Sequence, residues 1–214
     1  TPDANNQWKP GPETVIIDRI GMSRNSTAGA DHVSYTVTGT IVGTLGEGGA
    51  YSPRNEDYHA VITLERRDGE WRIAELPNQA IIERTELRNR YIPRDLYFFD
   101  PTGNTLVPDR RWMFAGTNTQ DTALISLLLA GPSPMLAPGV MDELPNSAAY
   151  TRTNNGVYEL TGLSSLSEAA RRRLAAQLTW TLALAEISEP FSFSIDGDLV
   201  RNDRNNPKLS VNDF

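Results

Sequence analysis

Two histidines, His32 and His59, are the only imidazoles in the chain, and cysteine is absent. Any acid–base or metal site using imidazole therefore draws on two residues. Both lie in or beside strand-like segments, and no HExxH pair sets two imidazoles on one helical face. On Tyr58 to Leu64, His59 shares a side with Val61 and Thr63, opposite Tyr58, Ala60, Ile62 and Leu64. A packed or half-exposed histidine accounts for it better than a catalytic one does. Ser133 stands in Gly131-Pro132-Ser133-Pro134, which lacks the second glycine of a nucleophile elbow and has prolines where a strand-to-helix turn is needed. Gly43, Gly46, Gly48 and Gly49 come with Glu47 and no lysine, and Tyr51-Ser52-Pro53-Arg54 reads as continuing loop. A phosphate cradle needs a helix N-terminus there, so the stretch reads as a hairpin connection.

The closest carboxylate groupings are Asp142-Glu143 and Asp196 with Asp198. Glycoside hydrolysis needs two carboxyls about 5 to 9.5 Å apart across a cleft, whereas adjacent residues on a strand face opposite sides. Asp196-Gly197-Asp198 also falls short of a calcium loop, having no bidentate acid at the required distance. No catalytic residue, metal site or cofactor is assigned, and the expectation is a protein that is not an enzyme. Arg171-Arg172-Arg173 spans about 200° of a helix circumference, which suits a solvated outer face better than one acidic ligand. Asp109-Arg110-Arg111-Trp112 combines the residue types that anchor protein interfaces, although tryptophan is also an ordinary core residue. Arg110, Arg111 and Trp112 are accordingly the candidate partner-binding residues.

The elements that would position these groups fall into two sets. From Thr14 to Leu76 the signals are β: Val15 to Ile17, the alternating run Val33 to Val42, and Tyr58 to Leu64. Asp68-Gly69 before Trp71-Arg72-Ile73 predicts a two-residue hairpin turn with positive φ. These pieces predict an antiparallel sheet, comparable to NTF2-like or cystatin-like folds. No helix-period segment covers it, and the expectation is that a covering helix precedes Thr1, in a chain that begins as a processed or trimmed product. The segment 77–94, bounded by prolines and rich in charge, reads as a linker.

Beyond it, strand and helix periods alternate. Leu96 to Phe99 and Leu106 to Phe114 read as two strands around Pro101-Thr102-Gly103-Asn104. A helix follows, with Thr117 or Thr119 as N-cap, Asp121 in its first turn, Leu124, Leu127 and Leu128 on one face, and Gly131-Pro132 as its stop. Asn154-Asn155-Gly156 predicts a second hairpin. Ser165 with Glu168 predicts a capping box opening a helix to about Ala185, with Leu174, Leu178 and Leu182 inward. Phe191 to Ile195 returns to a strand, and 201–214 reads as a tail toward a further domain.

With 27 acidic and 20 basic side chains the net charge is −7, the wrong sign for displacing counterions from nucleic acid. The longest apolar stretch, Ala123 to Ala130 with Ser126 inside it, falls far short of the roughly 20 residues that span a bilayer.

Four pieces in order resemble the GerMN domain family, named for sporulation and germination proteins: Leu96-Tyr97-Phe98-Phe99-Asp100, Leu106 to Arg111, Leu127 to Pro132, and Gln177-Leu178-Thr179-Trp180-Thr181-Leu182. The wider chain is similar to the LpqB family of actinobacterial lipoproteins. The carrying residues are Trp71-Arg72-Ile73, Leu76-Pro77, Tyr91, Pro93-Arg94 and Leu96-Tyr97-Phe98. The resemblance implies a lipid-anchored protein on the outer side of the cytoplasmic membrane, a C-terminal β-propeller after the GerMN region, and association with a two-component sensor kinase. Neither the lipidated cysteine nor the propeller lies within these residues.

The expectation is thus an α+β chain. An antiparallel-sheet domain (1–76), a linker (77–94), a GerMN-like sheet-plus-two-helix domain (95–200) and a tail (201–214) follow one another. Its expected work is non-catalytic docking onto a protein partner, the extracytoplasmic part of a sensor histidine kinase, with membrane contact only through the anchor. The alternative is small-ligand or wall-glycan binding, or hydrolysis, on the concave face of the first sheet with His59 or Glu65 as a polar group.

Overall fold

The structure is a computed structural model that describes residues 8–25, 31–116 and 119–214. It is a sheet-dominated mixture of α and β, divided into two compact units. The first comprises residues 1–92 with Trp112–Ala115, and the second Pro93–Arg111 with Gly116–Phe214.

The first unit is built on β1 (Thr14–Arg24), β2 (His32–Leu45), β3 (Tyr51–Arg67), β4 (Glu70–Glu75) and β5 (Ala80–Glu83), in the spatial order β4-β3-β2-β1-β5. The first four pair antiparallel, whereas β5 lies parallel to β1. Asp68 and Gly69 adopt φ of 52° and 83°, and Arg67 pairs with Glu70 across them, as the Asp-Gly signal predicts. Tyr51 to Arg54 belong to β3, not to a continuing loop. Gly43 leaves room for the Tyr51 ring, whose hydroxyl donates to the Val42 carbonyl at 2.7 Å.

Successive residues of β1 are buried on opposite sides. Val15 and Ile17 pack with Val37 and Tyr58, while Ile16 packs with Leu45 and Leu87. Leu87 comes from α1 (Arg84–Arg90), so the segment read as a linker supplies both an edge strand and a helix to this unit's core. Its charge misleads because only one side chain in seven, Leu87, needs to face the sheet. The comparison with NTF2-like folds calls for a long covering helix; α1 is the only α-helix of this unit among the described residues.

The second unit carries most of β6 (Tyr91–Phe99) and β7 (Leu106–Phe114), which form a two-stranded sheet. Next come α2 (Gln120–Leu129), β8 (Ala149–Asn154), β9 (Val157–Thr161), α3 (Glu168–Leu184), β10 (Phe193–Ile195) and β11 (Asp198–Leu199). The strand order is β11-β10-β9-β8, with β9 and β10 parallel across α3. Leu124, Ile125 and Leu128 of α2 and Leu174, Leu178 and Leu182 of α3 are buried with Leu160, Phe193 and Ile195 of the sheet. Asn155 and Gly156 make the second positive-φ turn, between the paired Asn154 and Val157.

Three local expectations change. The Oγ of Ser167, not Ser165, accepts the Ala170 N–H and opens α3, because the helix begins two residues later than the capping-box spacing implies. Thr119 precedes α2 without a side-chain cap bond, and Thr117 lies outside the described residues. The segment 201–214 is no free tail, for Leu209 is wholly buried and bridges Phe191 through paired backbone bonds of 2.8 and 2.7 Å.

Candidate functional site

On β7 the pleat separates the candidate partner-binding residues. Asp109 and Arg111 turn inward and are 5% and 4% exposed, whereas the Arg110 side chain is 67% exposed. Asp109 Oδ2 accepts from Arg111 Nε at 3.1 Å, from Arg111 Nη2 at 2.8 Å and from the Ser133 backbone N–H at 2.7 Å. Arg111 Nη2 also donates to the Gly131 carbonyl at 3.2 Å. The pair therefore fastens β7 to the Gly131-Pro132-Ser133 loop that ends α2, and Ser133 serves through its backbone. Arg111 is committed to this internal contact. Trp112 is half-buried against the Ile16, Leu45 and Leu87 cluster of the first unit, the core reading of that residue. Of the three candidates, Arg110 alone presents its charge outward.

Arg110 donates through Nε and Nη2 to the two Asp95 oxygens at 2.9 and 3.1 Å, across the β6–β7 hairpin. The Asp95 carboxylate holds the guanidinium still more firmly protonated than usual. Two residues along the same face of β6 is Tyr97, half-buried, its ring 6.2 Å from that of Trp180 on α3 and tilted 51°. Burial, then the Asp95 charge, push the Tyr97 hydroxyl pKa up. One turn beyond Trp180 on the same helical face is the exposed Leu184. This patch of arginine, tyrosine, tryptophan and leucine is not visible in the sequence, because its members come from β6, β7 and α3. The one signal the sequence holds is that Tyr97 alternates with the inward Leu96 and Phe98.

The other charged candidates serve the second unit itself. Arg171, Arg172 and Arg173 go to three separate acids: Asp198 at 3.5 Å, Asp203 at 2.5 Å, and Glu143 through a two-pronged contact of 2.6 and 2.7 Å. The wide angular spread expected of consecutive helix positions is thus realised as three lateral ties. Asp196, at φ 50°, accepts the Gly162 and Leu163 N–H groups at 2.8 and 3.0 Å, so it clamps a loop. In the first unit His59 is exposed opposite Thr38, and His32 Nδ1 lies 3.6 Å from Glu65 Oε1, while the other oxygen of Glu65 is 2.9 Å from Arg67. His59 and Glu65 sit on the polar side of the sheet, away from the Tyr58 cluster.

One buried hydroxyl makes stability depend on alkaline pH. Tyr158 donates to Asp121 Oδ2 at 3.2 Å and stacks on Phe193. Burial, with the Asp121 charge behind it, pushes its pKa up to about 12. A pKa raised above the unfolded value near 10 favours the protonated fold, so this contribution is intact below about pH 10 and is lost as pH rises toward 12. Urea unfolding of the wild type is expected to lose about 1–2 kcal/mol more than Tyr158→Phe between about pH 9 and pH 11.5. Equal losses in both would show that Tyr158 is not the group responsible.

Two families match the chain in tandem. The family described as "Lipoprotein LpqB, N-terminal domain" matches residues 1–88, and that described as "Sporulation and spore germination" matches residues 95–201. Lipoprotein LpqB of Corynebacterium diphtheriae is 46% identical over 216 residues, covering 99% of this chain and 37% of that protein. Lipoprotein LpqB of Rhodococcus jostii is 36% identical, covering 92% of this chain and 36% of that one. The chain spans about a third of the length of these curated relatives. Among solved structures, the tandem GerMN domains of the sporulation protein GerM from Bacillus subtilis align with a TM-score of 0.41 at 16% identity, over 56% of this chain and 46% of that one. With the two family matches in this order and relatives of one name along nearly its whole length, the chain belongs to the LpqB lipoprotein family and carries that family's N-terminal and GerMN domains.

Proposed function

We propose that this chain is a non-catalytic interaction module of a lipid-anchored envelope protein, and that it docks a protein partner through the Arg110, Tyr97, Trp180 and Leu184 patch. The carrying observation is the composition of that patch: a solvent-facing guanidinium already oriented by Asp95 beside two half-buried aromatic rings. Arginine, tyrosine and tryptophan are the side chains that supply most interface energy, and an ordered arginine loses less entropy on docking. The partner we infer is the extracytoplasmic part of a sensor histidine kinase. The relatives' name, lipoprotein, supports a place on the outer side of the cytoplasmic membrane, reached only through the anchor. No helix among the described residues is long and apolar enough to cross a membrane.

Arg110→Glu and Leu184→Glu change exposed side chains, so each is expected to keep the melting temperature while abolishing co-purification with the kinase ectodomain. Capture of the ectodomain by both variants at the wild-type level would overturn the docking surface. A second reading, wall-glycan or small-ligand binding on the first sheet, is favoured by one observation. Trp71, 48% exposed on β4, shares a sheet face with Ile73, Leu64 and Ile62, in a run of four antiparallel strands. Retention of the chain on purified wall material, lost on Trp71→Ala, would favour it.

A further inference from the structure

A cleft of about 420 Å³ lies in the second unit between the end of α2, the 142–146 loop and the start of β8. Its lining mixes apolar side chains, Leu129, Leu144 and Ala148 among them, with Ser126, Asn146 and Tyr150. Asp142 stands at it as an exposed carboxylate. The acids around it are spoken for: Glu143 is held by Arg173, Asp109 by Arg111, Glu159 by Arg152, and Asp121 by Tyr158. Among the described residues Asp142 alone of this group has no hydrogen-bond or ion-pair partner.

Asp142 is the one charged side chain among the residues that line the cleft. Asp142 brings a full negative charge, and the C-terminal end of α2, which supplies Leu129 and Ala130, adds the negative pole of a ten-residue helix. An aromatic ring in the lining can attract a cation, and the leucine and alanine side chains there suit the methylene stem of a long basic side chain. The backbone of β8 contributes a further feature, since β8 is the outer strand of its sheet and no strand pairs on its far side among the described residues. A register shift falls between Tyr150 and Arg152, and Ala149 and Tyr150, the first residues of the strand, are the ones that line the cleft. That combination fits a short extended segment with one cationic side chain.

We propose that this cleft receives an arginine side chain from an extended segment of a protein partner, with the guanidinium on Asp142 and the stem over Leu129 and Leu144. The site is separate from the Arg110 patch and does not depend on it. The test titrates the full chain with the peptide acetyl-Ala-Ala-Arg-Ala-Ala-amide and with its citrulline counterpart, which keeps the shape and loses the charge, while following backbone amide NMR shifts. Saturable shifts are expected at Ser126, Leu129, Ala130 and Tyr150, at least tenfold weaker for citrulline and for Asp142→Asn, and unchanged in Arg110→Glu. Asp142 is exposed and unpartnered, so Asp142→Asn is expected to keep the wild-type melting temperature. Equal binding of the two peptides, undiminished binding to Asp142→Asn, no saturable shifts at all, or shifts centred on the Asp198 and Asp203 side of α3 would each overturn the assignment.

Discussion

Asp109→Ala is expected to lower the unfolding free energy by about 3–5 kcal/mol, measured by urea denaturation near neutral pH. One carboxylate oxygen takes three donors at 2.7 to 3.1 Å, two from the buried Arg111 and one from Ser133. Deleting it leaves a guanidinium with almost no access to water, still held near the Gly131 carbonyl, and an N–H with nothing to donate to. The desolvation cost of a buried guanidinium that has lost its carboxylate dominates the expected loss, because the attraction within a buried pair largely offsets the cost of burying both partners. The double variant Asp109→Ala with Arg111→Met removes the buried guanidinium as well and is expected to recover at least half of the loss. A single variant that costs under about 1 kcal/mol would show the pair to be solvated.

The second large effect is a backbone clash. A Cβ placed on Gly162 would lie 2.0 Å from the Ser147 carbonyl oxygen, at φ +75°, and the Gly162 N–H is already tied to Asp196. Gly162→Ala must therefore move the backbone on one side or the other. A loss of about 2–5 kcal/mol is expected, combining strain in the left-handed region with overpacking. Gly156→Ala separates the two causes, for Gly156 has nearly the same φ, 76°, and nothing within 4 Å of its added carbon. It is expected to cost about 1 kcal/mol, so equal thermal shifts in the two variants would remove the clash from the account.

Local chemistry is readable wherever one short segment decides the outcome. Asp68-Gly69 and Asn155-Gly156 turn as their φ preferences require, Gly131 ends α2, and Leu174, Leu178 and Leu182 form the inward stripe of α3. What the sequence hides depends on partners far along the chain. Leu87 looks like an isolated apolar residue in a charged linker until Ile16 and Leu45 are placed beside it. Leu209 looks like part of a polar tail until Phe191 pairs with it. The same limit governs the site. Arg110, Arg111 and Trp112 are consecutive, yet the pleat sends the middle residue inward to a carboxylate two positions away, and the surface of Arg110 is completed by Tyr97 and Trp180 from other elements. Asp142 is visible in the sequence only as half of an Asp-Glu pair. The distinction that matters, that Arg173 takes Glu143 and leaves its neighbour, is made by tertiary structure.

The first unit reclaims Trp112 to Ala115 after the chain has left it at Ile92. A polypeptide stopped anywhere between those positions would be amputated of the indole that rests on Ile16, Leu45 and Leu87, and of Phe114, whose ring meets Tyr91 edge-on. Dissecting this chain into halves at the seam between its two family matches would thus leave residues 112–115 on the wrong piece. A faithful excision of the amino-terminal half has to splice residues 112–115 back in, for instance by a designed linker that spans the removed hairpin.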